Sequence, residues 1–128
     1  MGIIHKNIGQ GSHFEWPDLA IKRYEGDGVR GTRRILVGPD DGAERFVMRY
    51  FEIGPGASSS LDHHAHDHGV FVLRGRARLR LGGELEEVSY GDAIYIAPFE
   101  EHQFENLGEE PFGFLCVISR PGGLLTVA

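Results

Sequence analysis

Four of the seven histidines fall within six residues, in the run Asp62-His63-His64-Ala65-His66-Asp67-His68, and His102 follows the stretch Ile96-Ala97-Pro98. Imidazole is the commonest neutral metal ligand in proteins, and carboxylates are harder partners for the same ions. Beside the strand-like run Val70-Phe71-Val72-Leu73, the cluster reads as a transition-metal site on a β scaffold. Asp62, His64, His66 and His68 share one parity in an extended chain, with His63 and Asp67 on the other face. Neutral imidazoles on one face repel once protonated and become mutually useful around a metal. Cys116 is the lone cysteine, which excludes an internal disulfide and a thiolate cage.

Short strands must position these side chains. Expected strands are Arg34–Val37, Arg45–Ile53, Val70–Leu73, Ala77–Leu81, Glu84–Val88, Ala93–Ile96, His102–Glu105 and Phe112–Ile118, each β-branched or aromatic-rich and bounded by Gly, Pro, Asp or Asn. Leu81-Gly82-Gly83-Glu84 predicts a hairpin turn, because Gly-Gly supplies positive φ. No segment keeps a 3.6-residue apolar period. The pattern is that of an all-β sandwich or barrel, and 128 residues suit a single domain with one core. Residues 1–25 read as an amino-terminal arm that packs across the barrel or onto a second subunit. Trp16-Pro17 marks an extended stretch there.

Composition narrows the function classes. Nineteen acidic against 13 basic residues give a net charge of −6, which disfavours nucleic-acid binding. The basic stretch Arg30-Gly31-Thr32-Arg33-Arg34 reads as a solvated strand edge. No apolar run approaches the ~20 residues that span a bilayer, and the start Met1-Gly2-Ile3-Ile4-His5 lacks the apolar core of a secretion signal. A cytoplasmic protein with no membrane partner is expected.

Two spacings carry a family resemblance. Gly56 is followed after five residues by Asp62-His63-His64, then after three by His68 and after six by Gly75. Gly91 is followed after five residues by Ala97-Pro98-Phe99, then after two by His102 and after three by Asn106. The chain, over about residues 30–123, resembles the cupins, whose motifs read Gly, five residues, His-x-His, three or four, Glu, six, Gly, and Gly, five, Pro-x-Gly, two, His, three, Asn. Asp62 stands where that family has its first histidine, His68 where it has glutamate, and Ala97 and Phe99 replace Pro and Gly. His68, Phe46-Val47-Met48-Arg49, Val70-Phe71-Val72-Leu73-Arg74-Gly75 and Phe114-Leu115-Cys116 with Gly122-Gly123 are similar to small single-domain bacterial cupins whose manganese is held by four histidines.

The resemblance implies a double-stranded β-helix, a jelly-roll-like barrel, with Asp62, His64, His68 and His102 around one divalent transition metal. Manganese comes first, and iron, nickel, copper, cobalt or zinc also suit such donors. The reading His64-Ala65-His66 is the other register, so either Asp62 or His66 completes the shell. His66 and His63 are otherwise rim residues able to relay protons. Counting by two from His102 places Phe104 on the metal side. The resemblance adds Phe114, Cys116 and Ile118 to that cavity, with Arg49 and Ser59 at its edge. An arginine in an apolar strand either meets a carboxylate or anchors an anionic ligand. Cys116 is either a small core filler or, near a redox metal, a thiol open to oxidation.

A metal-dependent oxidoreductase, dioxygenase-like and acting on a small organic molecule, is the first functional expectation. A non-catalytic binding or sensor protein is the second, and a metal-dependent isomerase or lyase the third. The resemblance also implies a homodimer.

Overall fold

The computed structural model describes residues 1–120; the Gly122-Gly123 pair and the carboxy-terminal end of the expected barrel lie outside the described residues. Nine strands form: β1 (Lys22–Gly26), β2 (Val29–Val37), β3 (Phe46–Ile53), β4 (His68–Arg74), β5 (Arg76–Leu81), β6 (Glu84–Ser89), β7 (Ala93–Ile96), β8 (His102–Asn106) and β9 (Phe112–Ser119). A 3-10 turn covers Pro39–Asp41. The strands make two facing sheets, one ordered β1-β2-β3-β9-β4-β7 and one ordered β6-β5-β8, every named pair antiparallel. This is a jelly-roll-like sandwich, as the strand pattern predicts.

The inner faces follow from alternation. In β5 the burial order is exposed, buried, exposed, buried, exposed, with Ala77 and Leu79 inward and Arg76, Arg78 and Arg80 outward. Its hairpin to β6 pairs Leu81 with Glu84, and Gly82 takes φ 60° in the expected turn. Val72, Leu79, Ile96 and Phe112 are fully buried and come from both sheets. Burying each such side chain contributes ~1.5–3 kcal/mol, so these few contacts across the sandwich outweigh its exposed ion pairs.

Two expectations are corrected. The stretch Arg30 to Arg34 is not a sheet edge: it lies inside β2, paired on one side with β1 and on the other with β3. Gly31 permits this, because a Cβ there would come within 2.7 Å of the Glu52 carbonyl oxygen. The edge on that side of the sheet is β1, Lys-Arg-Tyr-Glu-Gly, placed in the arm by a sequence with no apolar alternation. Strand β2 also starts at Val29, five residues before the expected Arg34.

Residues before β1 pack on the large sheet. Phe14 and Trp16 stack at 5.6 Å between ring centroids, and both meet Tyr50 edge-on at 5.2 and 5.4 Å. Tyr50 is thereby fully buried on the outer face of β3, its hydroxyl donating to Glu52 at 2.8 Å. Gly113 on β9 leaves room for that hydroxyl, which a Cβ at this position would strike. His5 ties the arm down, one ring nitrogen 2.6 Å from Asp18 and the other 2.6 Å from Asp41. Among the described residues no helix is long and apolar enough to cross a membrane.

Candidate metal centre

Three histidines from three places in the chain meet between the sheets. His68 opens β4 in the large sheet, His102 opens β8 in the small one, and His64 lies in the connection from β3 to β4. Each offers a ring nitrogen within 4.8 Å of the others. A backbone bridge locks the small-sheet side, with Asp62 and His102 exchanging N–H to carbonyl bonds of 3.0 and 2.9 Å. The Phe99 N–H donates to the His64 carbonyl at 2.6 Å and fixes the loop. Phe99 holds φ 62° to do so, at the position where the motif carries glycine.

The nitrogens are prepared as lone-pair donors. His102 Nδ1 lies 3.0 Å from the Glu100 carbonyl, so that nitrogen carries the proton and Nε2 is bare. His68 Nδ1 lies 3.2 Å from Cys116 Sγ, and its Nε2 is buried with no hydrogen-bond partner. A buried ring nitrogen without a partner costs ~1–3 kcal/mol unless something bonds it, and with the proton on Nδ1 the bare Nε2 lone pair fits a cation. Burial pushes the His68 imidazole down to about 3, aided by its histidine neighbours and Arg49. Burial also lowers His64 and His66. Neutral imidazoles are what a metal requires.

The other expected site residues divide. The Asp62 carboxylate stands outside the three-nitrogen group and accepts the Ser60 hydroxyl at 2.5 Å. His66 also stands outside it, stacked on His64 at 5.0 Å and 4.8 Å from the His68 ring. His63 is exposed. Arg49, Ser59, Phe104, Phe114 and Cys116 all line one cavity of about 280 Å³ that also contains the three histidines. Ile118 does not line it and packs against the core instead. The cavity wall further includes Tyr24, Val29 and Thr32 from β1 and β2, and Phe51 stacked on Phe114 at 5.3 Å. Alternation from Arg49 would have found Phe51; the β1 and β2 residues were hidden with their strands.

Arg49 lines the cavity beside Phe51 and Cys116. No carboxylate lies within ion-pair distance of it among the described residues. Its Nη2 donates to Cys116 Sγ at 3.0 Å, its guanidinium lies 4.9 Å from the Phe51 ring centre, and its Nε is buried without a partner.

Fold and site together define a small β-sandwich with histidines converging from both sheets. The chain belongs to the cupin domain family, which matches residues 49–118. It is 33% identical over 111 residues to the 1-methylthio-D-xylulose 5-phosphate methylsulfurylase of Rhodospirillum rubrum, covering 84% of this chain and 70% of that protein. The crystal structure of a cupin-2 domain protein from Rhodospirillum rubrum superposes with TM-score 0.76 at 34% identity, covering 84% of this chain and 73% of that one. The polyketide cyclase RemF from Streptomyces resistomycificus superposes with TM-score 0.72 at 34% identity, over 80% of this chain and 74% of that one.

Proposed function

We propose that this cupin is a metal-dependent enzyme acting on a small organic molecule, with His64, His68 and His102 holding one divalent transition ion, manganese first among the candidates. The observation that carries this reading is the buried, partnerless His68 Nε2 beside two further imidazoles. The bound ion would supply Lewis acidity and open coordination positions for substrate oxygen. Asp62 or His66 is the candidate fourth ligand; the other stays at the rim. The aromatic rings of Phe51, Phe104 and Phe114 exclude water from the reacting face. His66, half-exposed and stacked on His64, is the first candidate for a proton relay, with His63 the second.

Chemistry without dioxygen, of the isomerase or lyase kind, is the reading we favour. A Cys116 thiol in contact with a ligand imidazole is an oxidation target if oxygen is activated there. One similar protein is named a 1-methylthio-D-xylulose 5-phosphate methylsulfurylase and another a polyketide cyclase, and neither name is that of an oxygenase. The dioxygenase-like oxidoreductase is the second reading, favoured by the aromatic wall. Turnover by manganese- or iron-loaded protein is followed across sugar phosphates, keto acids, phenols, alkenes and diketones, with and without oxygen. Anaerobic turnover is expected; turnover only with oxygen consumption selects the second reading. Retention of a compound without conversion under either condition would make the protein a binding or sensor cupin.

A homodimer completes the proposal. Phe71, Tyr95 and Val117 on adjacent strands of the large sheet are 42%, 62% and 36% exposed on its outer face. Clustered exposed apolar groups of this kind mark contact surfaces. Light scattering at twice the chain mass is expected, and a Tyr95→Glu chain should shift toward the monomer.

A further inference from the structure

We propose that the ligand of this site is a compact organic oxyanion, with Arg49 gripping its carboxylate or phosphate while the three-histidine centre takes a second oxygen; this rests on the metal reading above. The argument begins with the cost of the arginine. A guanidinium stays protonated at any working pH, and a cation held in a low-dielectric wall without a counter-charge is destabilising. Arg49 stands half-buried in the middle of β3, between Met48 and Tyr50, yet has no carboxylate partner among the described residues. The acidic groups that line the same cavity are used elsewhere: Glu52 pairs with Arg74 at 3.1 Å, and Asp62 takes the Ser60 hydroxyl.

What Arg49 does have is orientation. The Phe51 ring lies against the guanidinium, and Cys116 Sγ holds Nη2. A cysteine sulfur is a weak acceptor and no substitute for a carboxylate. The planar fork is therefore preorganised by one ring and one sulfur, with the buried Nε left unpartnered. Such a fork matches the two oxygens of a carboxylate or phosphate.

Position completes the inference. The same Sγ contacts Arg49 Nη2 at 3.0 Å and His68 Nδ1 at 3.2 Å. The guanidinium and the imidazole are thus separated by no more than one sulfur atom and its two contacts. A ligand bridging Arg49 and the three-histidine centre needs only a few bonds between its anionic group and its second oxygen. A cavity of about 280 Å³ suits a molecule of that size. The Ser59 hydroxyl, which accepts the Phe104 N–H at 2.9 Å, gives the same wall a further polar contact.

The test is calorimetric titration of manganese-loaded protein with two anion and neutral pairs: pyruvate against methyl pyruvate, and glycerol 3-phosphate against glycerol. Metal content is measured on every sample. At least one anion should bind tenfold or more tightly than its neutral counterpart, and the pair that shows it distinguishes carboxylate from phosphate. Arg49→Met should erase that preference while keeping its metal. Arg49→Lys, which preserves the buried cation if the methionine chain does not fold, should bind the anion several-fold more weakly than wild type. Equal binding of anion and neutral partner by wild-type protein, or an unchanged preference in Arg49→Met, overturns the proposal. So does Arg49→Lys binding as tightly as wild type, since the fork is then irrelevant. Loss of metal from the wild-type protein instead sinks the metal reading, and the same pairs titrated against metal-free protein still decide whether Arg49 selects anions.

Discussion

His68 and His5 carry the same side chain in opposite circumstances. His68 is 6% exposed, touches a thiol with one nitrogen and leaves the other bare. His5 holds a carboxylate on each nitrogen, Asp18 and Asp41, both at 2.6 Å. Burial drives His68 toward the neutral form, whereas the bonds to Asp18 and then Asp41 raise His5 toward the cation. One environment suits a metal ligand and the other suits a charged clip. The residue type alone fixes neither role; the groups in contact with the ring do.

The sharpest way to break this contrast is to remove the ligands. His68→Ala and His102→Ala should each abolish metal binding, read by elemental analysis, while His5→Ala keeps a full complement. Removal of the ion from wild-type protein should also lower its stability. At a free metal concentration one hundred times Kd, the bound ion contributes about 2.7 kcal/mol, so thermal unfolding should shift by several degrees on adding the metal. The shift should vanish in His68→Ala and persist in His5→Ala. An unchanged metal content in His68→Ala would overturn the ligand assignment.

A smaller effect belongs to Asp62. Its carboxylate lies outside the three-nitrogen group, yet its charge acts on His64 and its backbone pairs with His102. Asp62→Ala keeps the backbone bridge and loses only the charge. Metal affinity should fall by roughly tenfold, the lower end of what supporting groups contribute, rather than disappear. Competition with a metal-binding dye measures it. Complete loss would make Asp62 a ligand in its own right.

The two histidine environments were unequally legible. The cavity was legible through the resemblance: the spacings from Gly56 to Gly75 and from Gly91 to Asn106 match the two cupin motifs, which imply that His64 and His68 meet His102. Inward alternation in β8 then placed Phe104 beside His102, and both are buried. Ile118 failed because β9 is apolar on both faces, so alternation does not say where the cavity stops along it. The arm had no such signal. His5 meets Asp41 across 36 residues, with no periodicity to announce the pairing. Strand β1 and the first half of β2 were concealed for a related reason. Their Arg, Lys, Thr and Gly residues read as solvated, although pairing to β3 is a backbone interaction that polar side chains do not prevent.

The arm's contrast sharpens with pH. His5 is raised above 6.5, so its hold is complete below that value and is lost as pH rises through its raised value. Asp18 and Asp41 are lowered from 3.8, so their hold is present above that value and is lost as pH falls through their lowered values. The arm is most secure between these limits. Trp16, the single tryptophan, reports the docking through its contact with Tyr50. Its emission should change as pH rises beyond the raised His5 value, and His5→Ala should remove that transition. A transition that survives His5→Ala would assign it elsewhere.

Phe99 offers the smallest expected effect. It occupies the left-handed region at φ 62°, with its side chain 68% exposed. A non-glycine residue there costs ~1–2 kcal/mol, and the exposed ring recovers little of that by packing. The conformation is nonetheless held, because the Phe99 N–H reaches the His64 carbonyl only from that backbone angle's turn, closed also by the Glu100 N–H to Ala97 carbonyl bond at 3.1 Å. Phe99→Gly relieves the strain without moving the N–H. Glycine's greater freedom in the unfolded chain offsets part of the gain. The net result should be a stabilisation of up to about 1 kcal/mol in denaturant melts, with metal affinity unchanged. Destabilisation with weakened metal binding would instead show that the aromatic ring, and not only the backbone beneath it, holds His64 in the cavity.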